Sequence, residues 1–334
     1  MTSFQDSSND RTYYIIKMHE GKEKEILSNQ LFCFIYWKMI RSYGKGENGL
    51  RLGVVMTGNG AHAAACAGVL HALCARGIEP CAVAGMQGGA LVAALYLSGL
   101  EPAQMLNAIA AAADLGKKLL PMQRPAQRAI RGGEPAFFRS GKLERMLEEH
   151  TGRRLLAVCP RTGVFLCRFV RTGRHVIFST RAYPQEGGAM LNMQTSIGFA
   201  ARAASALPPF LAPVSWMGSP LLPETDLDFA CRQLFLLGAQ RALIIRPVLS
   251  VHTPPDVVDL TSMALAYGMD RMPQKGCTAV LNIPMPDGVG ALSFQKMPAC
   301  VRAGKETAEQ QLDQLLEQMG MAYGRILPFK GQRR

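Results

Sequence analysis

The stretch of sequence that decides the fold is residues 81–95, CAVAGMQGGALVAAL. It opens with a short apolar run, which is typical of a strand buried in a parallel sheet. Gly85, Gly88 and Gly89 come next, and a run rich in alanine and leucine follows them. Because glycine allows sharp turns and close approach of backbones, this order predicts a buried strand, a tight turn and an apolar helix.

The turn has the spacing of the G-x-S-x-G motif, the nucleophile elbow of serine hydrolases. In that motif a strained strand-to-helix turn presents a serine at the carboxyl end of a sheet. Here Gly85 and Gly89 occupy the flanking positions, but Gln87 stands at the serine position. A primary amide cannot act as an acyl-accepting nucleophile near neutral pH. The motif therefore predicts the frame of a hydrolase without its reactive hydroxyl.

Residues 79–100 form a long, nearly uncharged run whose length alone would allow a membrane span. The glycines in the middle of this run favour the buried strand, turn and helix instead. With 334 residues, of which 48% are hydrophobic, the chain is long enough for one large α/β domain or two small ones.

The nine cysteines are scattered and contain no CxxC pair, so we expect neither a disulfide framework nor a zinc site. The histidines also lack metal-ligand spacing, and no metal or other cofactor is expected. Free thiols fit a reducing compartment, which favours the cytoplasm.

The formal net charge of +12 is compatible with binding to nucleic acid or to an anionic membrane surface, and with simple solubility. No RNA-binding or helix-turn-helix signature is present, so we do not expect nucleic acid as a partner. Residues 117–131 contain five basic side chains and no acid. This basic run is either a solvated surface loop or a peripheral contact with anionic headgroups.

The first 49 residues differ in character from the rest and are interpreted as an N-terminal extension. Residues 13–26, YYIIKMHEGKEKEI, resemble the opening strand and helix of a transcription elongation factor domain of the NusG type. The remainder of such a domain does not follow, which favours a fragment or a misplaced start over a working module. A turn-rich linker at residues 42–48 leads to a main domain at residues 50–325, and a basic tail occupies residues 326–334.

The main domain begins with a predicted strand at residues 52–56, a glycine-rich turn and a helix that ends at Gly77. The next strand, at residues 78–84, completes a right-handed βαβ unit. The remaining pattern predicts an α/β fold with a mostly parallel sheet. Its strands are expected at residues 155–159, 164–170, 175–178, 241–249 and 278–283, and its helices at residues 103–113, 140–150, 197–206, 229–237, 257–267 and 305–319.

Four stretches, taken in order, resemble the patatin-like phospholipases, a family of lipid acyl hydrolases. They are residues 52–70, the elbow at 85–89 followed by ALVAALYLSG, residues 201–214, and residues 288–304 with Glu306. The resemblance covers roughly residues 50–320. It implies a three-layer α/β/α sandwich with a mostly parallel central sheet.

The resemblance also implies a Ser–Asp dyad and a glycine turn whose N–H groups hold an oxyanion. The serine falls on Gln87, and the aspartate's Asp-Gly motif is missing. Counting back from Gly238 places Pro223 or Glu224 near the acid position, with Asp226 and Asp228 further along. The oxyanion turn falls on Gly58, Asn59 and Gly60, with His62 at the family's basic position.

Three departures at one chemical centre favour a catalytically inactive protein that binds a lipid or fatty acyl ligand, or that has a regulatory role. Gln87 would then bond a headgroup, or merely plug the site by bonding nearby main chain. The alternative is an active lipid acyl hydrolase with a rerouted nucleophile, for which Thr57, Ser196 and Ser205 are the candidates. A third possibility is an interaction module that acts through residues 1–50 and the basic run.

Overall fold

The computed structural model describes residues 51–119, 141–185, 188–208, 210–269 and 277–321. The chain divides into two compact units, Met1–Asn48 and Gly49–Arg334, and all the described residues belong to the second. The predictions for residues 1–49 and 326–334 lie outside the described residues. So does the basic run, apart from the backbone of residues 117–119.

The centre of the described part is a mixed sheet with the strand order β5-β4-β3-β2-β1-β8-β9. The five strands from β3 to β9 along this order are parallel, β4 runs antiparallel to β3, and the β6–β7 hairpin pairs antiparallel with the end of β3. The strands are β1 (Leu52–Met56), β2 (Ala82–Gly85), β3 (Gly163–Phe169), β4 (His175–Ser179), β5 (Met190–Asn192), β6 (Val214–Trp216), β7 (Ser219–Pro223), β8 (Arg241–Val248) and β9 (Thr278–Pro284).

Helices cover both faces of this sheet. They are α1 (Ala65–Ala75), α2 (Gly89–Leu97), α3 (Pro102–Leu119), α4 (Gly141–Thr151), α5 (Ile197–Ser205), α6 (Leu227–Leu236), α7 (Val257–Met269) and α8 (Met297–Gln318). Side chains alternate along β1, so Val54 and Met56 join a large core with α1, α2 and α8, whereas Val55 packs on the α6 side. The predicted α/β/α sandwich with a mostly parallel sheet is confirmed.

The run at residues 79–100 forms β2, the glycine turn and α2, as its pattern predicts. Among the described helices, none combines the length and hydropathy that a bilayer-spanning helix requires.

Several local predictions need correction. The helix expected at residues 305–319 begins at Met297, and β5 was not predicted. The strand expected at residues 155–159 is wrong, because Leu156–Val158 forms a 3₁₀ turn whose N–H groups reach the carbonyls of Thr195 and Met193. Strand β7 was not among the predicted strands either, and it contains two prolines, which are rare within sheets. It nevertheless pairs within the sheet, because it is the second strand of a tight hairpin with β6 and also runs antiparallel to β3.

Close backbone contact joins α1 to α8. A Cβ added at Gly68 would lie 2.0 Å from the carbonyl oxygen of Val301, and one at Gly304 would lie 2.1 Å from that of Ala65. No side chain fits between the two helices at these points. The C-terminal helix therefore braces the helix that follows the first glycine turn, and with it one wall of the candidate site.

Candidate functional site

A pocket opens at the carboxyl ends of β1, β2 and β8. The register of the sheet places Met56 opposite both Gly85 and Ile245, so β1 and β2 end at one level and β8 continues three residues further, to Val248. Open α/β sheets bind their ligands at this edge. The cavity has a volume of about 190 Å³. Its lining comprises Thr57, Gly58, Asn59, His62, Met86, Gln87, Thr225, Leu227, Arg246, Pro247, Leu249, Asp259, Ser262 and Met263.

The elbow keeps the strained geometry that the sequence predicts. Gln87 has a φ of 51°, in the left-handed region that side chains other than glycine rarely adopt. The flanking glycines are required sterically, since a Cβ at Gly85 would lie 2.8 Å from Ala90 Cα and one at Gly89 would lie 2.3 Å from Met56 O. Gln87 therefore projects into the pocket from the position that the motif assigns to a serine.

The Gln87 amide belongs to a chain of side-chain hydrogen bonds. Asn59 Nδ2 donates to Gln87 Oε1 at 3.0 Å and to Ser262 Oγ at 2.7 Å. Ser262 Oγ in turn donates to the Val258 carbonyl at 2.6 Å. The partner of Gln87 is thus a side chain of the first turn, whereas a plug was expected to bond nearby main chain. This network ties the elbow to both the first turn and α7.

The first glycine turn packs against the loop before α8. Gly58 and Gly60 have φ values of 103° and 52°, and Asn59 between them is extended. A Cβ at Gly60 would lie 2.0 Å from the carbonyl oxygen of Ala291. Asn59 therefore occupies the middle of a rigid turn and has its side chain directed at Gln87.

A buried His–Asp pair forms another part of the wall. His62 Nε2 donates to the Val289 carbonyl at 2.9 Å, and its Nδ1 lies 3.6 Å from Asp259 Oδ1. Asp259 Oδ2 accepts from the N–H groups of Asp256 and Ala291 at 3.0 and 3.3 Å. Burial raises the pKa of Asp259 and the Asp256 carboxylate adds to the rise, whereas the Asp256 N–H bond and His62 act against it.

Glu224, the predicted acid position, does not line the pocket in the described structure. Its side chain is 1% exposed and lies in a buried ion-pair cluster. Arg168 Nη2 donates to both carboxylate oxygens at 3.0 Å, and His175 Nδ1 lies 2.7 Å from Oε2. Burial by itself would raise the pKa of Glu224, but the bond from His175, the N–H of Asp226 and the charge of Arg168 bring it below the ordinary value.

The other acids named from sequence also have structural partners. Asp226 caps α6 by accepting from Phe229 N at 3.0 Å, and Asp228 pairs with Arg232 at 3.4 Å. Among the described residues that line the pocket, the carboxylate belongs to Asp259. Sequence reasoning missed Asp259, Ser262 and Arg246. The P-P-D-V-V-D start of α7 signals a capped helix but not its place beside the first turn.

None of the three candidate hydroxyls is brought into contact with both Gln87 and an acid. Thr57 lines the pocket, but its Oγ1 donates to the Ile245 carbonyl at 2.7 Å. Ser196 lies outside the pocket, where it caps α5 and bonds Glu148 at 3.1 Å. Ser205 donates to the Arg202 carbonyl at 3.1 Å. Within the described residues, no group of histidines, cysteines and acids could hold a metal ion.

The elbow, the glycine turn and the α/β/α sheet match a known family. The model for "Patatin-like phospholipase" matches residues 54–225, which is half of the chain. The chain belongs to the patatin-like phospholipase family. Lipid acyl hydrolysis is the activity of this family, and the resemblance seen in the sequence is confirmed. Among curated proteins, none matches this sequence.

Similar solved structures include two bacterial proteins. VipD from Legionella pneumophila is 12% identical, with 83% of this chain and 73% of that chain covered and a TM-score of 0.46. ExoU, in the ExoU–SpcU complex of the Pseudomonas aeruginosa type III secretion system, is 16% identical, with 80% and 52% covered and a TM-score of 0.42. The chain thus spans about half the length of ExoU.

The left-handed conformation of residue 87 can be tested by replacing Gln87 with glycine and with alanine. Both variants lose the amide, but alanine keeps the strain of a Cβ at positive φ, which costs about 1–2 kcal/mol. Glycine loses roughly 0.5–1 kcal/mol through backbone entropy, so we expect Gln87→Gly to be about 0.5–1 kcal/mol more stable than Gln87→Ala in urea denaturation. At the exposed helical position Arg302, glycine should be the less stable of the two by a similar amount. If alanine were the more stable of the two residues at position 87, as it is expected to be at position 302, the elbow geometry would be contradicted.

The Glu224 cluster predicts a pH dependence of stability. Because the folded-state pKa of Glu224 lies below the ordinary value of 4.5, this carboxylate stabilises the fold above that value. The stabilisation is lost as pH falls through the lower folded-state pKa. We expect Glu224→Gln to lower the free energy of unfolding by about 2 kcal/mol near pH 7.

The difference between wild type and Glu224→Gln should shrink as the pH falls well below 4.5. Urea midpoints measured at intervals from about pH 7 to about pH 3 test this expectation. Glu149→Gln, on the exposed side of α4, is the matched control and should change little. If the difference in stability between wild type and Glu224→Gln stayed constant from about pH 7 to about pH 3, the Glu224 carboxylate would not act through its ionised form.

Proposed function

We propose that this protein is a catalytically inactive member of its family that binds a lipid or fatty acyl ligand by its anionic headgroup. It would act as a binding or regulatory protein in the cytoplasm or at a membrane surface. The observation that carries the proposal is the amide of Gln87, held on an intact elbow where a hydrolase needs a hydroxyl. Removing the nucleophile from a serine hydrolase lowers kcat about a million-fold.

The groups around Gln87 favour an anion. Gln87 Oε1 is occupied by Asn59, and within the described residues Gln87 Nε2 has no acceptor, so this N–H₂ group is available to a ligand. Arg246 also lines the pocket, with its Nε bonded to Asn282 Oδ1 at 2.8 Å. The N-terminus of α2 directly follows Gln87, and helix N-termini attract anions. The carboxylate of the described lining, that of Asp259, is engaged by His62 and by two main-chain N–H groups.

The size of the cavity limits the part of the ligand that it encloses. At about 190 Å³ it is smaller than the roughly 300–1,000 Å³ of typical small-molecule sites. A carboxylate or phosphate with a few carbon atoms fits this volume, whereas a long acyl chain would extend outside. Leu249 and Met263 on the apolar side of the lining offer such a chain a surface to follow.

Two of the pocket hydroxyls support an inactive protein. Thr57 and Ser262 both donate to main-chain carbonyls, which occupies the proton that a general base would have to remove. Glu224 is engaged by Arg168 and His175 and does not line the pocket.

The eight described cysteines are free thiols, which supports a reducing compartment.

Calorimetric titration with octanoate and with octyl phosphate tests the proposed ligand class, and octanamide serves as the uncharged control. We expect saturable binding of at least one of the two anions and much weaker binding of octanamide. Arg246→Gln should weaken anion binding at least about 10-fold, because it removes a charged donor.

The exposed Arg145 on α4 provides the matched control, and Arg145→Gln should leave the affinity unchanged. Absence of saturable binding of both anions to the wild type would contradict the proposal. Equal affinity for octanoate and octanamide would contradict the anionic headgroup.

A further inference from the structure

Helix α7 is an unusual element of the described structure, since it has no extensive packing contact with another described helix or strand. It is held mainly through its first turn, by the bonds of Asp256 and Asp259 to the loop at residues 290–292. Its outer side carries Val257, Leu260 and Met263, all exposed and spaced three residues apart. They form one apolar stripe that faces solvent.

The loop before α7 extends this stripe to the pocket mouth. Val248 is exposed at the end of β8, and Val251 is 93% exposed. Leu249, between them, lines the pocket together with Met263 of α7. We define the α7 face as the five exposed residues of this surface, Val248, Val251, Val257, Leu260 and Met263. A group of exposed apolar side chains on one helix and the loop that leads to it is typical of an interaction site.

The α7 face carries no formal charge, although the chain as a whole is basic. Between Pro247 and Met269 the acids are Asp256 and Asp259, and both turn inward. Asp256 accepts from the N–H groups of Val258, Asp259 and Leu292, and Asp259 faces His62. Among the side chains of this segment that the structure describes, the remaining histidine is His252, which is exposed.

Basic groups flank the face. Arg246 lines the pocket beside it, and Lys296 donates to the carbonyl of Gly288, whose N–H bonds Thr253 of the same loop. One acid, Asp287, lies at this rim and accepts from Ser250. An uncharged apolar centre with Arg246 and Lys296 beside it, on a chain of net charge +12, complements an anionic lipid surface.

We propose that the α7 face docks on the surface of an anionic lipid bilayer and brings the pocket mouth to the level of the headgroups. The five described residues of the face include neither an aromatic residue nor an arginine, which are enriched in protein–protein interfaces, so hydrocarbon is the better complement. Interfacial helices bind by inserting such an apolar side at the headgroup boundary. The inference rests on the proposed function for the nature of the pocket ligand, but docking itself needs no occupied pocket.

Co-sedimentation of the full chain with sonicated vesicles tests the docking face. The vesicles contain phosphatidylcholine alone, or phosphatidylcholine with phosphatidylglycerol. The variant Val251→Glu/Leu260→Glu changes two residues of the face that do not line the pocket. The matched control is Leu155→Glu/Val158→Glu. Both positions are exposed and apolar, and they precede the amino end of β3, whereas the pocket lies at the carboxyl ends of the parallel strands.

We expect the wild type to bind the anionic vesicles, and the α7-face variant to bind them at least about 10-fold more weakly. The control, which adds the same two charges, should bind like the wild type. Val251→Ser/Leu260→Ser should also lose binding, which separates the loss of apolar surface from the added charge. Circular dichroism melting of each variant verifies that it is folded.

Three results would overturn the inference. These are no binding of the wild type to anionic vesicles, unchanged binding of both α7-face variants, and equal loss in the Leu155/Val158 control. A concentration-dependent dimer that the α7-face variants abolish, without vesicle binding, would assign the face to a second copy of the chain and also refute it. Octanoate binding without vesicles tests the pocket separately, so vesicle binding with no octanoate binding would remove the proposed function and leave the docking face.

Discussion

The backbone contact between the two glycine turns is the constraint on which the site depends. Gly89 N donates to the carbonyl of Gly58 at 3.2 Å, and a Cβ at Gly89 or Gly88 would collide with the carbonyl of Met56 or Gly58. Because the parallel register of β1 and β2 holds these turns side by side, residue 87 is forced outward at positive φ. The elbow therefore keeps its shape whatever side chain stands at position 87, which explains how a hydrolase frame persists around a glutamine.

The polar groups around that elbow are engaged with one another and with the main chain. In a dyad, a hydroxyl needs a base within hydrogen-bond reach. Here an amide is held by Asn59, and Glu224 is part of an ion-pair cluster with Arg168 and His175. The carboxylate of the described lining, that of Asp259, is paired with His62 and with main-chain N–H groups. Each of these groups thus has a structural partner, and within the described residues Gln87 Nε2 and the N–H groups of Arg246 beyond Nε are the donors on which the proposed anion binding rests.

The sequence predicted the parts of this arrangement that depend on neighbouring residues. Apolar runs and glycines that follow each other in sequence specify β1, the first turn, β2, the elbow and α2. Contacts between distant segments could not be predicted in this way. The partners of Glu224 lie 56 and 49 residues away, and His62 meets Asp259 from the far end of the domain. The place of Asp259 and Ser262 in the pocket was missed for the same reason. Their helix, α7, was predicted from periodicity, but the residues that it contacts were not. Strand β7 was not predicted. Its pairing with β6 and β3 outweighs the unfavourable effect of its two prolines.

The central claim is that the pocket holds no activated nucleophile. The most direct measurement is the intact mass of the protein after incubation with a fluorophosphonate, which forms a covalent adduct with an activated serine or threonine. An active serine hydrolase treated in parallel verifies the reagent. The account predicts that the mass of this protein stays unchanged. A stoichiometric adduct that peptide mapping places on Thr57, Ser262 or another hydroxyl of the pocket would contradict it.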